Sequence, residues 1–299
     1  MYIRCTCVHQ FDVEHQEPLM ARRSAQVTRR KPVDARPLRM HVLARSRPTP
    51  SLARVTLGGG QIADLVPMGF DQWFRLFLPT GGVESLRHVP EAVTTASYAR
   101  FMLVPADERP VIRNYTIRSY RETGVHGPGP EIDVDLVVHG SAVDGTAGPA
   151  STWAQTCAVG DEVAIIDEGT IYAGPEEATV LLAADEAGLP ALAGVLRDLP
   201  RVACGVAVIE VPHPDDRHDL GAPEGVEVRW VVRGTSGARP GEAALAELGR
   251  VPVPDDDEVY AWVAGESDLA TAARRHWVRH GIPKRKISFC GYWKAGASH

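Results

Sequence analysis

The chain has 299 residues, 44% hydrophobic and 23% charged, with a formal net charge of −6. That length suffices for two domains with ordinary cores, and the acidic balance excludes general nucleic-acid binding, which needs a basic surface. No apolar run approaches the ~20 residues of a membrane span and the N-terminus lacks a signal-peptide core, so a cytoplasmic protein without stable membrane association is expected.

Residues 1–36 are polar without a sustained period, with basic clusters at Arg22-Arg23 and Arg29-Arg30-Lys31. They read as a disordered N-terminal extension, with Met20 as an alternative start. Cys5 and Cys7, with His9 and His15 nearby, invite a metal site. Zinc sites place two to four residues between paired cysteines, and no second pair follows, so no metal is expected. The cysteines are odd in number and scattered, which suits reduced thiols.

Short strands follow at 38–45, 52–57, 70–79, 111–119, 131–139 and 161–166. Turn residues separate them and little helix intervenes, which predicts an antiparallel β-barrel over 37–170. The polar insert 83–102 reads as a loop or short helix that varies freely. From 171 to 299 the texture changes to buried apolar strands (178–184, 204–211, 226–232, 259–264, 287–290) alternating with helices (189–196, 243–248, 269–280). That alternation predicts a doubly wound parallel sheet. The joint is expected near 167–175, with Ser267-Asp268 capping the last helix.

Within strand 111–119, Arg113, Tyr115 and Ile117 share one face. A guanidinium two residues from a phenol ring suits a ligand with an anionic end and a flat aromatic end; a half-solvated sheet face is the plain alternative. Thr116 reaches the same ligand only if the strand ends or bulges there. Arg121, beside the polar turn at 122–124, is expected to be indifferent to any ligand. Gly148-Pro149-Ala150-Ser151-Thr152-Trp153-Ala154 reads as a helix start with small residues, able to offer backbone N–H groups to an anion or simply to cap a helix.

Arg113-Asn114-Tyr115-Thr116-Ile117-Arg118, His139-Gly140, the 148–154 stretch and Gly291-Tyr292-Trp293-Lys294-Ala295-Gly296 together resemble the siderophore-interacting, FAD-binding ferric reductase family, a branch of the ferredoxin-NADP reductase-like flavoproteins. The resemblance runs from about 37 to 296. It implies an FAD-binding barrel followed by a pyridine-nucleotide domain, reducing ferric siderophores with electrons from NADH or NADPH and releasing ferrous ion. It places FAD against Arg113, Tyr115, Thr116, His139, Gly148, Ala150, Ser151 and Thr152. Asp133 lies in the matching strand, and Thr116 is the nearest to a catalytic residue.

The second domain has no G-x-G-x-x-G fingerprint. Asp185 and Glu186 follow its first strand, and Gly265-Glu266 ends a later one. The resemblance puts all four at the nicotinamide crevice, with alanine at 187 where the family usually has threonine. Glu266 also reads as an ordinary acid at a helix N-terminus. Trp293 either borders the flavin or clasps the terminus. The run Lys284-Arg285-Lys286 reads as lying near that same sheet end, to steer an anionic siderophore or a ferredoxin, or as a solvated turn. Two alternatives stay open: a flavin-bearing siderophore-binding protein with little turnover, and a reductase fed by ferredoxin.

Overall fold

Alternating burial builds the first half of the chain. The computed structural model describes residues 30–92, 94–174, 179–234, 237–254 and 258–296. Strands β1 (Pro37–Thr49), β2 (Leu52–Gly58), β3 (Trp73–Leu78), β4 (Val111–Thr116), β5 (Ser119–Arg121), β6 (Glu131–Val137) and β7 (Glu162–Gly169) form an antiparallel sheet in the order β4-β3-β7-β1-β2-β6-β5. Every second side chain enters the core: Met40, Val42, Val55, Leu57, Phe74, Leu76, Ile132, Val134, Leu136, Val163 and Ile165 are each at most 1% exposed. The sheet ends meet where β4 runs into β5, as the Arg118 N–H donates to the Asp133 carbonyl at 2.8 Å.

The insert is not free to vary. A 3-10 turn (Val83–His88) and helix α1 (Thr95–Met102) lay Leu86 and Phe101 over the outward-facing Phe77, Ala164 and Ile166. These outer residues would otherwise expose an apolar patch to water. The single strand expected over 111–119 is two, with β5 running from Ser119 to Arg121 just before the polar turn, and its Arg121 is no bystander. Its guanidinium donates to Glu131 at 2.6 Å and to Asp133 at 2.7 Å. Residues 30 and 31, which fall within the expected extension, are tied to the barrel. Arg30 bridges Thr170, and the Lys31 ammonium pairs with Glu168. Cys5, Cys7, His9, His15, Met20 and Arg22-Arg23 lie outside the described residues.

Helix α2 (Pro149–Thr156) precedes β7. Beyond the joint, strands β8 (Thr179–Ala184), β9 (Cys204–Val211), β10 (Gly225–Val232), β11 (Tyr260–Glu266) and β12 (Ile287–Trp293) form a parallel sheet in the order β10-β9-β8-β11-β12. Its apolar runs are explained by burial on both faces. Leu182, Ala184, Trp262 and Ala264 pack with residues of helix α3 (Leu189–Asp198). Leu181, Ala183, Ala261 and Val263 pack with residues of α4 (Glu242–Leu248) and α5 (Ser267–Arg279). No helix among the described residues is long and apolar enough to cross a membrane.

A buried carboxylate joins the halves. Asp71, 0% exposed, precedes β3. It accepts the N–H groups of Ile171 and Tyr172 at 3.0 and 2.9 Å and the indole N–H of Trp262 at 3.0 Å. Burial pushes its carboxyl above the ordinary value, against those hydrogen bonds. The neighbouring Phe70 stacks on Tyr172 at 4.9 Å between ring centroids. Its carbonyl oxygen presses so close to α3 that a Cβ at Gly194 would lie 2.0 Å away.

Candidate functional site

A shallow groove opens between β4, the end of β6 and the start of α2, lined by Arg113, Tyr115, Val137, His139, Gly148, Pro149, Ala150 and Ser151. The local sequence explains its chemistry. Gly148 is the N-cap and has no side chain with which to bond the first helical N–H groups. Pro149 has no N–H and is tolerated at the first helical position. The Thr152 N–H makes the first helical bond, to the Gly148 carbonyl at 2.8 Å. The Ala150 and Ser151 N–H groups thus have no protein acceptor among the described residues, and they sit at the positive end of a helix. With Arg113 on the facing strand, this donor set fits a pyrophosphate.

The Ser151 and Thr152 hydroxyls are engaged in holding the groove together. Ser151 Oγ accepts the His139 N–H at 3.1 Å and donates to the His139 carbonyl at 3.0 Å, so it rivets α2 to the end of β6. Thr152 Oγ1 donates to the Ala147 carbonyl at 3.3 Å, and the structure leaves Thr152 out of the groove lining. Burial lowers the His139 imidazole below its ordinary value, which leaves a neutral ring at the groove edge. Thr116, the last residue of β4, pairs with Trp73, is buried and does not line the groove. Val137 lines the groove without having been marked by the sequence, since an apolar lining residue carries no chemical signature.

Asp133 lies outside the groove, in a ladder on the barrel wall. It accepts from Arg121, from Thr56 Oγ1 at 2.8 Å and from Ser119 Oγ at 2.8 Å. Burial alone would raise its carboxyl, but these bonds outweigh it and hold the group at about 2. The folded value lies below the unfolded one, so the stability it contributes, about 2 kcal/mol, is present above about pH 4 and is lost as pH falls through about 2. The gap in urea midpoint between the parent and Asp133→Asn should therefore close as pH drops across that window. A gap that stays constant would remove this account.

Each parallel strand ends in a charged or aromatic residue at the carboxyl end of the sheet, the position of the expected crevice: Asp185 and Glu186 after β8, Glu210 on β9, Arg233 after β10, Glu266 on β11 and Trp293 on β12. The strand order reverses between β8 and β11, where open α/β sheets bind ligands. Here Asp185 is turned inward. It accepts the N–H groups of Ala187 and Gly188 at 2.9 and 3.0 Å, that of Glu266 at 2.7 Å and the Trp293 indole at 2.9 Å. Burial and the Glu186 charge push it up to about 7. It fills the space at Gly265, where a Cβ would lie 2.5 Å from the carboxyl carbon.

Trp293 is 1% exposed, and its indole takes the role of a clasp on the terminus. Glu266, and not Ser267-Asp268, caps α5: its carboxylate accepts from the N–H groups of Asp268 and Leu269. It also receives the Ala295 N–H at 3.1 Å. Lys284, Arg285 and Lys286 form a 3-10 turn before β12. A parallel strand carries the chain away from the residues that precede it. The basic run is therefore at the opposite end of the sheet from the crevice, not at the same end. Glu210 and Arg233 went unmarked in the sequence, although a charge closing an apolar strand is the signal that could have found them. Among the described residues no group of three His, Cys, Asp or Glu is placed to hold a metal ion.

The model of the siderophore-interacting FAD-binding domain matches residues 41–171, and that of the siderophore-interacting protein matches residues 177–296. An uncharacterized protein of Mycobacterium tuberculosis is 35% identical over 87% of this chain and 92% of its own length. Ferric vibriobactin reductase of Vibrio cholerae is 33% identical over 64% of this chain and 67% of its own. The crystal structure of a siderophore utilization protein from T. fusca superposes with a TM-score of 0.72 at 30% identity, covering 91% of this chain and 97% of that one.

Proposed function

Because this chain belongs to the siderophore-interacting protein family and carries its FAD-binding domain, we propose that it is a ferric-siderophore reductase fed by NADH or NADPH. FAD, when bound, supplies the link between a two-electron donor and a one-electron acceptor. The residues of the chain do the holding. Arg113 and the Ala150 and Ser151 N–H groups take the pyrophosphate, and Tyr115 offers its ring to the flat heterocycle. His139 closes the groove edge as a neutral ring. No protein acid, base or nucleophile is required. Siderophore oxygens hold ferrous ion less well than ferric ion, so reduction by itself favours release.

The observation that carries this proposal is the groove itself: orphaned helix N–H groups facing a guanidinium beside a phenol ring. Protein loaded with FAD should lose its flavin absorbance on anaerobic addition of NADH or NADPH and regain it on addition of a ferric siderophore. Loaded protein that neither nucleotide bleaches would favour the alternative of a flavin-bearing siderophore-binding protein. A ferredoxin donor finds no support, since the basic run expected to receive it lies at the far end of the sheet from the crevice.

A further inference from the structure

Three of the five strand ends at the crevice are tied to one another. Arg233 donates through Nη2 to Glu186 Oε1 at 2.6 Å and through Nη1 to Glu186 Oε2 at 3.0 Å, with a further bond from Nη1 to Glu210 Oε1 at 2.7 Å. The two glutamates are not equivalent. Glu210 is 0% exposed, and its oxygens also accept the Gly241 N–H at 2.8 Å and the Ala244 N–H at 2.9 Å, at the start of α4. It is a fixed part of the fold. Among the described residues, the Glu186 carboxylate accepts from Arg233 and from no other group. Glu186 is therefore the exchangeable partner, an internal anion seated bidentately on the guanidinium.

An arginine near the strand ends of a doubly wound sheet can receive the 2′-phosphate that distinguishes NADPH from NADH. In this chain the position is already filled with negative charge. One guanidinium faces two carboxylates, with Asp185 adjoining just after β8. A phosphate dianion would have to expel Glu186 or sit beside a cluster of net negative charge. A ribose with free hydroxyls meets neither obstacle, since hydroxyls donate to carboxylates. Resting on the proposal that a nicotinamide nucleotide is the electron donor, we infer that Glu186 is a specificity-determining residue. It occupies on Arg233 the place of a 2′-phosphate, and so directs the chain to NADH.

The test uses the FAD-loaded protein and two adenosine probes, 5′-AMP and adenosine 2′,5′-bisphosphate, with equilibrium binding measured by calorimetry. The parent is expected to bind 5′-AMP more tightly. Glu186→Gln keeps the side-chain shape and removes the charge, and should move the ratio of the two affinities toward the bisphosphate by about tenfold or more. Raising salt should weaken the bisphosphate on Glu186→Gln more than it weakens 5′-AMP. A parent that prefers the bisphosphate overturns the inference without any variant, so a variant that fails to fold does not shield it. A folded Glu186→Gln protein with an unchanged ratio also overturns it. The ratio is read whether or not the flavin is bleached. If the ratio is as expected and neither NADH nor NADPH bleaches the flavin, the donor proposal alone has failed.

Discussion

Asp71→Ala is expected to destabilise the protein by roughly 3 kcal/mol or more, and to split one unfolding transition into two. The size comes from the donors left behind. The Ile171, Tyr172 and Trp262 N–H groups all lose their acceptor in a site with no exposure, and each orphaned buried donor costs about 1–3 kcal/mol. Removing a carboxylate that burial already disfavours offsets part of this. The splitting reflects where the donors sit, two on the joint and one on β11. Asp71→Asn keeps one acceptor oxygen and should fall between parent and alanine. Urea unfolding followed by tryptophan fluorescence and by flavin release would check it. Coincident transitions at the parent midpoint would show that the two halves are coupled by something else.

Arg113→Ala is expected to weaken FAD binding by about one to two decades, since a charge-assisted contact to phosphate contributes roughly 1.5–3 kcal/mol. The control has to be chosen with care. Arg121 reads as a turn residue but holds Glu131 and Asp133, so its loss would damage the barrel and lower flavin content indirectly. Arg100, exposed near the end of α1, is the better comparison. Equal losses of affinity in Arg113→Ala and Arg100→Ala would deny Arg113 any special contact.

The contrast between Arg113 and Arg121 shows how far residue order is legible. Alternation in β1, β2 and β6 and the continuous apolar run of β8 result directly from which faces are buried, so both sheets can be read from residue order alone. Arg113 and Tyr115 are legible as a pair because a strand has a fixed period. Arg121 is not, because a strand of three residues before a Glu-Thr-Gly turn has no period to detect. Asp71 and Asp185 are hidden for another reason. A carboxylate that receives several N–H groups looks in sequence like any surface acid, and only the fold reveals its donors. The position of Lys284–Lys286 was within reach, since a parallel strand puts its preceding and succeeding residues at opposite ends of the sheet.

The close contact at α3 has a consequence for how such chains recombine. A glycine inside a helix is less stable than alanine by about 1 kcal/mol. At Gly194 the larger residue is excluded by the Phe70 carbonyl, which belongs to the other half of the molecule. Were the second half to stand alone, or to be joined to an unrelated partner, that exclusion would vanish and alanine would become the more stable choice. A single codon in the second half thus records the presence of the first. A crossover between genes at the joint would carry that record into a setting where it no longer has a purpose.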